Sequence, residues 1–287
     1  MILRRAGLPA GWYPQDTEEI RRFFQPLSLD PASPGAVAAL APHAGWRYSG
    51  RIAARSVAAL ERDAETLVVI GGHLPAGMPP LFAEEDAAAT PLGDLEIDRE
   101  FRSRLWDTIG GMSDRFRDNT VEVLLPMVRY LFPVAKLVWV RLPAEARSFE
   151  AGKAIAETAG ALKRKIAVLG STDLTHYGDN YGFSPHGSGS AALEWVTTVN
   201  DRAFIDAALA GSQAEVLERA VQDHAACSAG AVLACLGYAR AMKASGGELL
   251  AYATSAAAGE VPDSFVGYAS IVWRRCTGGC TGGYTGG

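Results

Sequence analysis

Short apolar runs that end in glycine, proline or a polar residue recur along the chain and alternate with longer, helix-like stretches. Uninterrupted apolar runs are typical of strands that are buried on both faces of a sheet. The pattern predicts strands at 36–40, 66–70, 136–140, 166–169, 249–255 and 265–273.

Amphipathic or alanine-rich segments lie between these strands and predict helices. They cover residues 18–24, 50–62, 98–109, 120–130, 148–164, 190–209, 212–222 and 227–245, and Asp98 is placed to cap one of them. The alternation predicts an α/β fold in which helices flank a central mixed or parallel sheet. A single domain over residues 1–275 accounts for this pattern, because neither a repeat nor a linker interrupts it.

Thr-Gly-Gly units repeat over residues 276–287 and include Cys276 and Cys280. This segment has no apolar run to bury, so we expect a flexible tail whose deletion leaves the melting temperature nearly unchanged. A metal clip through its cysteines is the less favoured interpretation, because two thiolates alone fall short of a tetrahedral site.

Composition narrows the class of protein. The 287 residues are 48% hydrophobic and 21% charged, which is typical of a globular chain and excludes disorder as its main state. The net charge of −5, without a long basic run, argues against nucleic acid as a partner. No apolar segment reaches the roughly 18 residues of a membrane-spanning helix, and the N-terminus lacks an apolar signal core. We therefore expect a cytoplasmic protein that does not bind membranes.

Two common enzyme classes are excluded by their motifs. The chain has no Gly-x-x-x-x-Gly-Lys-Ser/Thr loop, which rules out a P-loop NTPase. It also has no Gly-x-Ser-x-Gly turn, so an α/β-hydrolase nucleophile has no candidate position.

Polar side chains with metal-binding or acid/base chemistry follow the predicted strands. His43, His73 and His176 lie at or soon after strand ends, where open α/β sheets bind ligands. If the loop after residue 169 enters a helix, Asp173 shares a face with His176 and could orient it as a base. Cys227 stands at a predicted helix start, where the helix dipole favours a thiolate.

These residues allow two interpretations. Two imidazoles and a thiolate suit iron, copper or zinc rather than magnesium or calcium. Their spacing matches no metal motif, however, and a single strand-end histidine or a buried cysteine is more often structural.

Seven short motifs occur in a fixed order along the chain. They are Trp-Tyr-Pro at 12–14, Pro-His-Ala-Gly-Trp-Arg-Tyr-Ser-Gly at 42–50, Gly-Gly-His at 71–73, Thr-Pro-Leu-Gly at 90–93, Val-Glu-Val-Leu-Leu-Pro at 121–126, Ser-Thr-Asp-Leu-Thr-His-Tyr at 171–177 and Ser-Phe-Val-Gly-Tyr-Ala-Ser at 264–270. Through this set, nearly the whole chain before the tail resembles the Memo family, also called AmmeMemoRadiSam system protein B.

The resemblance implies a fold related to class III extradiol dioxygenases, which use non-haem iron. It implies that His43, His73 and Cys227 bind iron or copper in a cleft, with zinc as a further candidate. Asp173 and His176 match the family's adjoining pair, and His176 takes the place of an acid/base histidine.

The sequence also departs from the family pattern. Residues 118–120 read Asp-Asn-Thr where the family usually has Glu-His-Ser. A neutral amide does not carry protons near pH 7, whereas an imidazole does. We expect Asn119 to lie at the rim of the cleft and to limit catalysis. The segment around Cys227 also departs, because glycine more commonly follows this cysteine in the family.

The favoured function is metal-dependent redox or oxygenase-like chemistry on a small molecule. One alternative is a non-enzymatic module that binds a peptide or protein in a vestigial dioxygenase site. Another, suggested by the family's compound name, is a partner of a radical-SAM modification system.

Overall fold

The computed structural model describes residues 1–27, 35–258 and 263–275. The predicted tail at 276–287 lies outside the described residues. Strands are β1 Leu3–Arg4, β2 Ala36–Ala41, β3 Thr66–Leu74, β4 Leu81–Phe82, β5 Ala87–Ala88, β6 Leu95–Glu96, β7 Met112–Ser113, β8 Lys136–Pro143, β9 Ile166–Ser171, β10 His176–Gly178, β11 Glu248–Thr254 and β12 Ser264–Arg274. Helices are α1 Thr17–Phe24, α2 Trp46–Ala59, α3 Arg99–Ile109, α4 Asn119–Glu122, α5 Leu125–Leu131, α6 Arg147–Leu162, α7 Ser190–Trp195, α8 Asp201–Ala210, α9 Gln213–Gln222 and α10 Ala229–Ala241.

A mixed sheet forms the centre of the fold, with helices on both faces. Strands β2, β9, β3 and β8 are mutually parallel neighbours in that order, and β12 pairs antiparallel with β2. Strands β10 and β11 continue the sheet beyond β12, and β4 and β7 continue it beyond β8. A small second sheet contains β1, β5 and β6. The predicted α/β class with a central mixed sheet is confirmed.

Alternate residues of each central strand enter two different cores, one on each face of the sheet. In β3, Val68 and Ile70 pack with the core that includes α6 and α10, whereas Leu67 and Val69 pack with the core that includes α2 and α5. This double burial explains why the strand sequences are continuous apolar runs.

All six predicted strands are present, and five of them extend farther at their carboxyl ends. Strand β3 continues to Leu74 and therefore contains His73. The predicted cap of α3 is also confirmed, because the Asp98 carboxylate accepts a hydrogen bond from the N–H of Phe101 at 3.1 Å.

Two predicted helices are interrupted. The helix predicted at 120–130 is two helices, α4 and α5, and Pro126 lies in the first turn of α5. In one continuous helix Pro126 would lack an N–H to donate and its ring would crowd the carbonyl of Glu122. The helix predicted at 190–209 contains a π-helical segment, Val196–Asn200, between α7 and α8. In addition, α2 begins earlier than predicted, at Trp46, which places its first turn beside His43.

Helix α10 packs closely against α6. A Cβ added at Gly152 of α6 would overlap the carbonyl oxygen of Ala234, so glycine allows the two backbones to touch. Nearly every side chain of α10 is buried, and the amino end of the helix lies beside Leu142 and Pro143 at the end of β8. This packing brings Cys227, just before α10, to the carboxyl edge of the sheet.

No helix in the described part of the chain is long and apolar enough to cross a lipid bilayer.

Candidate metal centre

Three parallel strands carry their following polar residues to the same edge of the sheet. His43 lies two residues after β2, Asp173 lies two residues after β9, and His73 lies near the end of β3. The His73 backbone has φ of 55°, a left-handed conformation that costs on the order of 1 kcal/mol and is concentrated at functional sites.

Cys227 completes a compact cluster with the two histidines. Its N–H donates a hydrogen bond to the carbonyl of Asp173 at 3.2 Å, and its Sγ lies 3.2 Å from Nε2 of His43. The His43 and His73 rings are nearly perpendicular, with centroids 4.9 Å apart. One ligand atom from each of His43, His73 and Cys227 lies within 4.8 Å of the others. The rings are close enough for both to reach a single ion.

His43 is buried and is held on several sides. Its Nδ1 lies 2.8 Å from Oγ of Ser171, and its main-chain N–H donates to Oδ1 of Asp173 at 2.7 Å. The carbonyl of His43 accepts a hydrogen bond from Nδ2 of Asn119 at 2.9 Å. These contacts fix the ring so that Nε2 faces Cys227.

His73 is more exposed and is positioned by a buried ion pair. Its Nδ1 lies 3.1 Å from Oδ2 of Asp118, the oxygen that also accepts a hydrogen bond from Nη2 of Arg141 at 3.1 Å. Arg141 in turn donates from Nε to the carbonyl of Gly72 at 2.9 Å. The guanidinium therefore ties the end of β3 to the carboxylate that orients His73.

The three clustered groups shift one another's proton affinities. Burial raises the pKa of the Cys227 thiol, but the charges and hydrogen bonds of His43 and His73 outweigh it and hold that pKa well below its ordinary value. Burial lowers the pKa of His73, but hydrogen bonds to Asp118 and Cys227 raise it to about 10. The pKa of His43 is also raised, against the effect of burial, by the charges of Cys227 and Asp173. The two imidazoles therefore favour the thiolate form of Cys227.

The cluster fits a transition-metal ion. A thiolate is the metal-binding form of cysteine, and an ion that binds here would displace the protons from the two imidazoles. Each histidine already uses Nδ1 for a hydroxyl or a carboxylate, which is the usual outer contact of a metal-binding imidazole and leaves Nε2 for the ion. This donor set suits iron, copper or zinc rather than magnesium or calcium.

Asp173 and His176 are not arranged as a helix would arrange them. His176 begins the short strand β10, and its Nδ1 bonds the carbonyl of Leu174 at 3.0 Å. Oδ1 of Asp173 accepts from the N–H groups of His43 and Ala44. No hydrogen bond joins Asp173 to His176 among the described residues. The expected orientation of His176 by Asp173 is therefore replaced by a main-chain contact.

A cleft of about 690 Å³ opens onto the cluster, within the usual size range of small-molecule sites. His43, His73, Asp173 and His176 line it together, as the strand-end placement predicts. Aromatic side chains form much of the remaining wall, namely Trp12, Tyr48, Tyr181 and Tyr268.

Comparison with known proteins places this chain in a family. The family model described as Memo-like protein matches residues 4–272. A MEMO1 family protein of Pyrococcus abyssi is 33% identical over 295 residues, covering 96% of this chain and all of its own length. The chain belongs to the Memo family. A second relative, a MEMO1 family protein of Methanopyrus kandleri, is 31% identical, covering 95% of this chain and all of its own length.

An uncharacterized protein of Escherichia coli K12 aligns with a TM-score of 0.47 and 14% identity, covering 81% of this chain and 98% of its own.

The departure of this chain from the usual Memo pattern lies in the cleft. Asn119 is half-buried and lines the cleft, as predicted, and its amide holds the carbonyl of His43. The side chain at this position therefore has a structural role as well as a place beside the cluster of His43, His73 and Cys227.

Sequence reasoning on this Memo-family chain missed the residues that orient the histidines. Asp118, Ser171 and Arg141 received no role, although Arg141 is a conspicuous charge inside an apolar strand, and it is 3% exposed. Cys235, in the apolar helix α10, is fully buried.

Proposed function

We propose that this protein binds one iron or copper ion through His43, His73 and Cys227 and carries out redox, oxygenase-like chemistry on a small molecule. The observation that supports the proposal is the thiolate beside two imidazoles, each held at Nδ1, at the end of a small-molecule-sized cleft. Zinc fits the same donors but would not support redox chemistry.

An iron or copper ion in this cluster would supply electron transfer and Lewis-acid activation. The protein itself would fix the orientation of the metal-binding side chains. Asp173 accepts a hydrogen bond from the main-chain N–H of His43, and Asn119 donates one to its carbonyl, so both main-chain groups of this residue are fixed. Asp118, clamped by Arg141, fixes the ring of His73.

His176 is the proposed proton acceptor in the cleft. A carbonyl oxygen only accepts hydrogen bonds, so the contact with Leu174 assigns the proton of the neutral ring to Nδ1. Nε2 is then the basic nitrogen, and it can take a proton from a substrate hydroxyl. Tyr181 packs edge-on against the ring at 4.9 Å and limits its rotation.

Metal analysis of protein purified without an affinity tag tests the proposal. We expect about one iron or copper ion per chain, and at least about tenfold less in His73→Ala and Cys227→Ser. His186→Ala is the matched control, because His186 is an exposed imidazole outside the cleft. Equal metal content in all four proteins, or zinc alone, would contradict the proposal.

Oxygen uptake then separates an enzyme from a binding module. With iron-loaded protein and a panel of catechol-like molecules, we expect turnover that falls strongly in His176→Gln while the metal content stays the same. Loaded protein that is inert across the panel, yet binds a peptide in the cleft, would favour the vestigial site instead. Asn119 in place of an imidazole is the observation that favours this second function.

A role beside a radical-SAM enzyme is a third proposal. It rests only on the family's compound name, and the genes that neighbour this one would test it.

A further inference from the structure

A second cavity, of about 590 Å³, adjoins the cleft, and the two share Gly11 and Tyr48 in their walls. Its wall includes the rings of Trp46 and Phe23, whose centroids are 4.7 Å apart. Tyr48 is 59% exposed and stands between the two cavities. A molecule in the cleft can therefore extend past Tyr48 toward the partly exposed ring of Phe23.

Three arginines follow one exposed face of α2 at intervals of four residues: Arg47, Arg51 and Arg55. None of them has a hydrogen bond or an ion pair with another described residue. Arg47 and Arg51 line the side cavity, and Arg55 does not. Like charges at this spacing destabilise a helix slightly, so interactions among the three guanidinium groups do not stabilise the helix.

The charge balance of the side cavity favours an anion. Glu19 is the one carboxylate among its described lining residues, against the two guanidinium groups of Arg47 and Arg51. At the opposite end of the sheet, another cavity also contains basic residues, but Lys165 pairs with Asp63 at 2.8 Å. Arg275 in the same wall pairs with Glu61 at 3.0 Å, so part of the charge there is paired within the protein.

We propose that the side cavity is an anion subsite for the molecule that occupies the cleft. Arg47 and Arg51 bind its carboxylate or phosphate group, and its apolar part contacts Phe23 beside Trp46. The substrate class is thus an organic anion with an apolar body. This inference rests on the proposed function only in placing the other end of the molecule at the metal cluster.

Binding of benzoate and benzamide to metal-free protein tests the subsite. The two probes have similar shape and differ in charge. At constant ionic strength, calorimetry should show benzoate binding about tenfold more tightly, because hydrogen bonds to charged groups contribute at least that factor. Arg47→Gln and Arg51→Gln should each weaken benzoate binding about tenfold and leave benzamide unchanged.

Arg55→Gln is the matched control, with the same charge change on the same helix face outside the cavity. It should bind benzoate as the unaltered protein does. Phosphate that displaces benzoate would identify a phosphate group as an accepted anion, and failure to displace it would identify a carboxylate.

The subsite is refuted if benzoate does not bind, if it binds no better than benzamide, or if Arg55→Gln weakens it as much as Arg51→Gln. Because no metal is present, these results do not depend on the metal analysis, so either proposal can fail alone.

Discussion

Asp201 at the start of α8 allows a quantitative test of the structure. Its carboxylate is fully buried and accepts hydrogen bonds from the N–H of Thr175 at 3.0 Å and from the hydroxyl of Tyr252 at 2.7 Å. Thr175 lies between Asp173 and His176, so Asp201 supports the segment that carries both site residues. Within the described residues, no cation pairs with it.

Burial raises the pKa of Asp201 from 3.8 to about 6, although the hydrogen bonds from Thr175 and Tyr252 oppose the shift. The native state therefore holds this proton more tightly than the unfolded state does. The stabilisation is fully present below about pH 4 and is lost as the pH rises through 6. A shift of about two units corresponds to about 3 kcal/mol of unfolding free energy.

Asp201→Asn replaces the ionisable group with an amide that resembles its neutral form. We expect the free energy of unfolding of the unaltered protein, relative to this variant, to fall by about 2.5 kcal/mol between pH 4 and pH 7.5. Urea denaturation of metal-free protein at several pH values, followed by circular dichroism, measures this difference. Asp107→Asn, which changes an exposed carboxylate on α3, is the control and should give no such trend.

Parallel stability curves for the unaltered protein and Asp201→Asn would refute the argument. They would mean that the carboxylate ionises as easily in the native state as in the unfolded chain. A difference that grows in the opposite direction would mean that the hydrogen bonds from Thr175 and Tyr252 outweigh burial.

Gly152→Ala should lower the free energy of unfolding, measured by thermal denaturation, by about 2 kcal/mol, because the added methyl group would overlap Ala234. The control Gly160→Ala on the same helix meets no atom within 4 Å and should raise it by about 0.5–1 kcal/mol. Arg141→Met leaves Asp118 without its buried cation, so urea denaturation should show a free energy of unfolding about 3 kcal/mol lower. Iron titration of the same variant should show at least about tenfold weaker binding of iron. Asn119→His should raise oxygen uptake by iron-loaded protein, since it adds a group that titrates near neutral pH. Urea denaturation should show a loss of about 1 kcal/mol, because the hydrogen bond from the amide to the carbonyl of His43 is removed. Unchanged uptake in a folded, loaded variant would contradict the expected rise.

Much of the fold was predictable because burial on both faces of a sheet leaves a visible pattern. Strand β3, which contains Val68 and Ile70, is apolar at every central position. Its location therefore follows from the uninterrupted apolar run in the sequence. The break at Pro126 was also visible in principle, since the chemistry of proline is local. The π-helical segment before Asp201 has no such local marker.

The histidines and Cys227 followed from strand-end placement and family motifs, because these features are local in sequence. The side chains that hydrogen-bond to the histidines could not be predicted in this way. His73 meets Asp118 from 45 residues away, and which carboxylate reaches it depends on the order of strands in the sheet. The main-chain contact of His176 depends on β10 pairing with β12 rather than forming a helix. The sequence thus determined which chemical groups stand at the ends of the strands. Only the tertiary structure decided which of them touch, because hydrogen bonds and ion pairs depend on distances that chain packing sets.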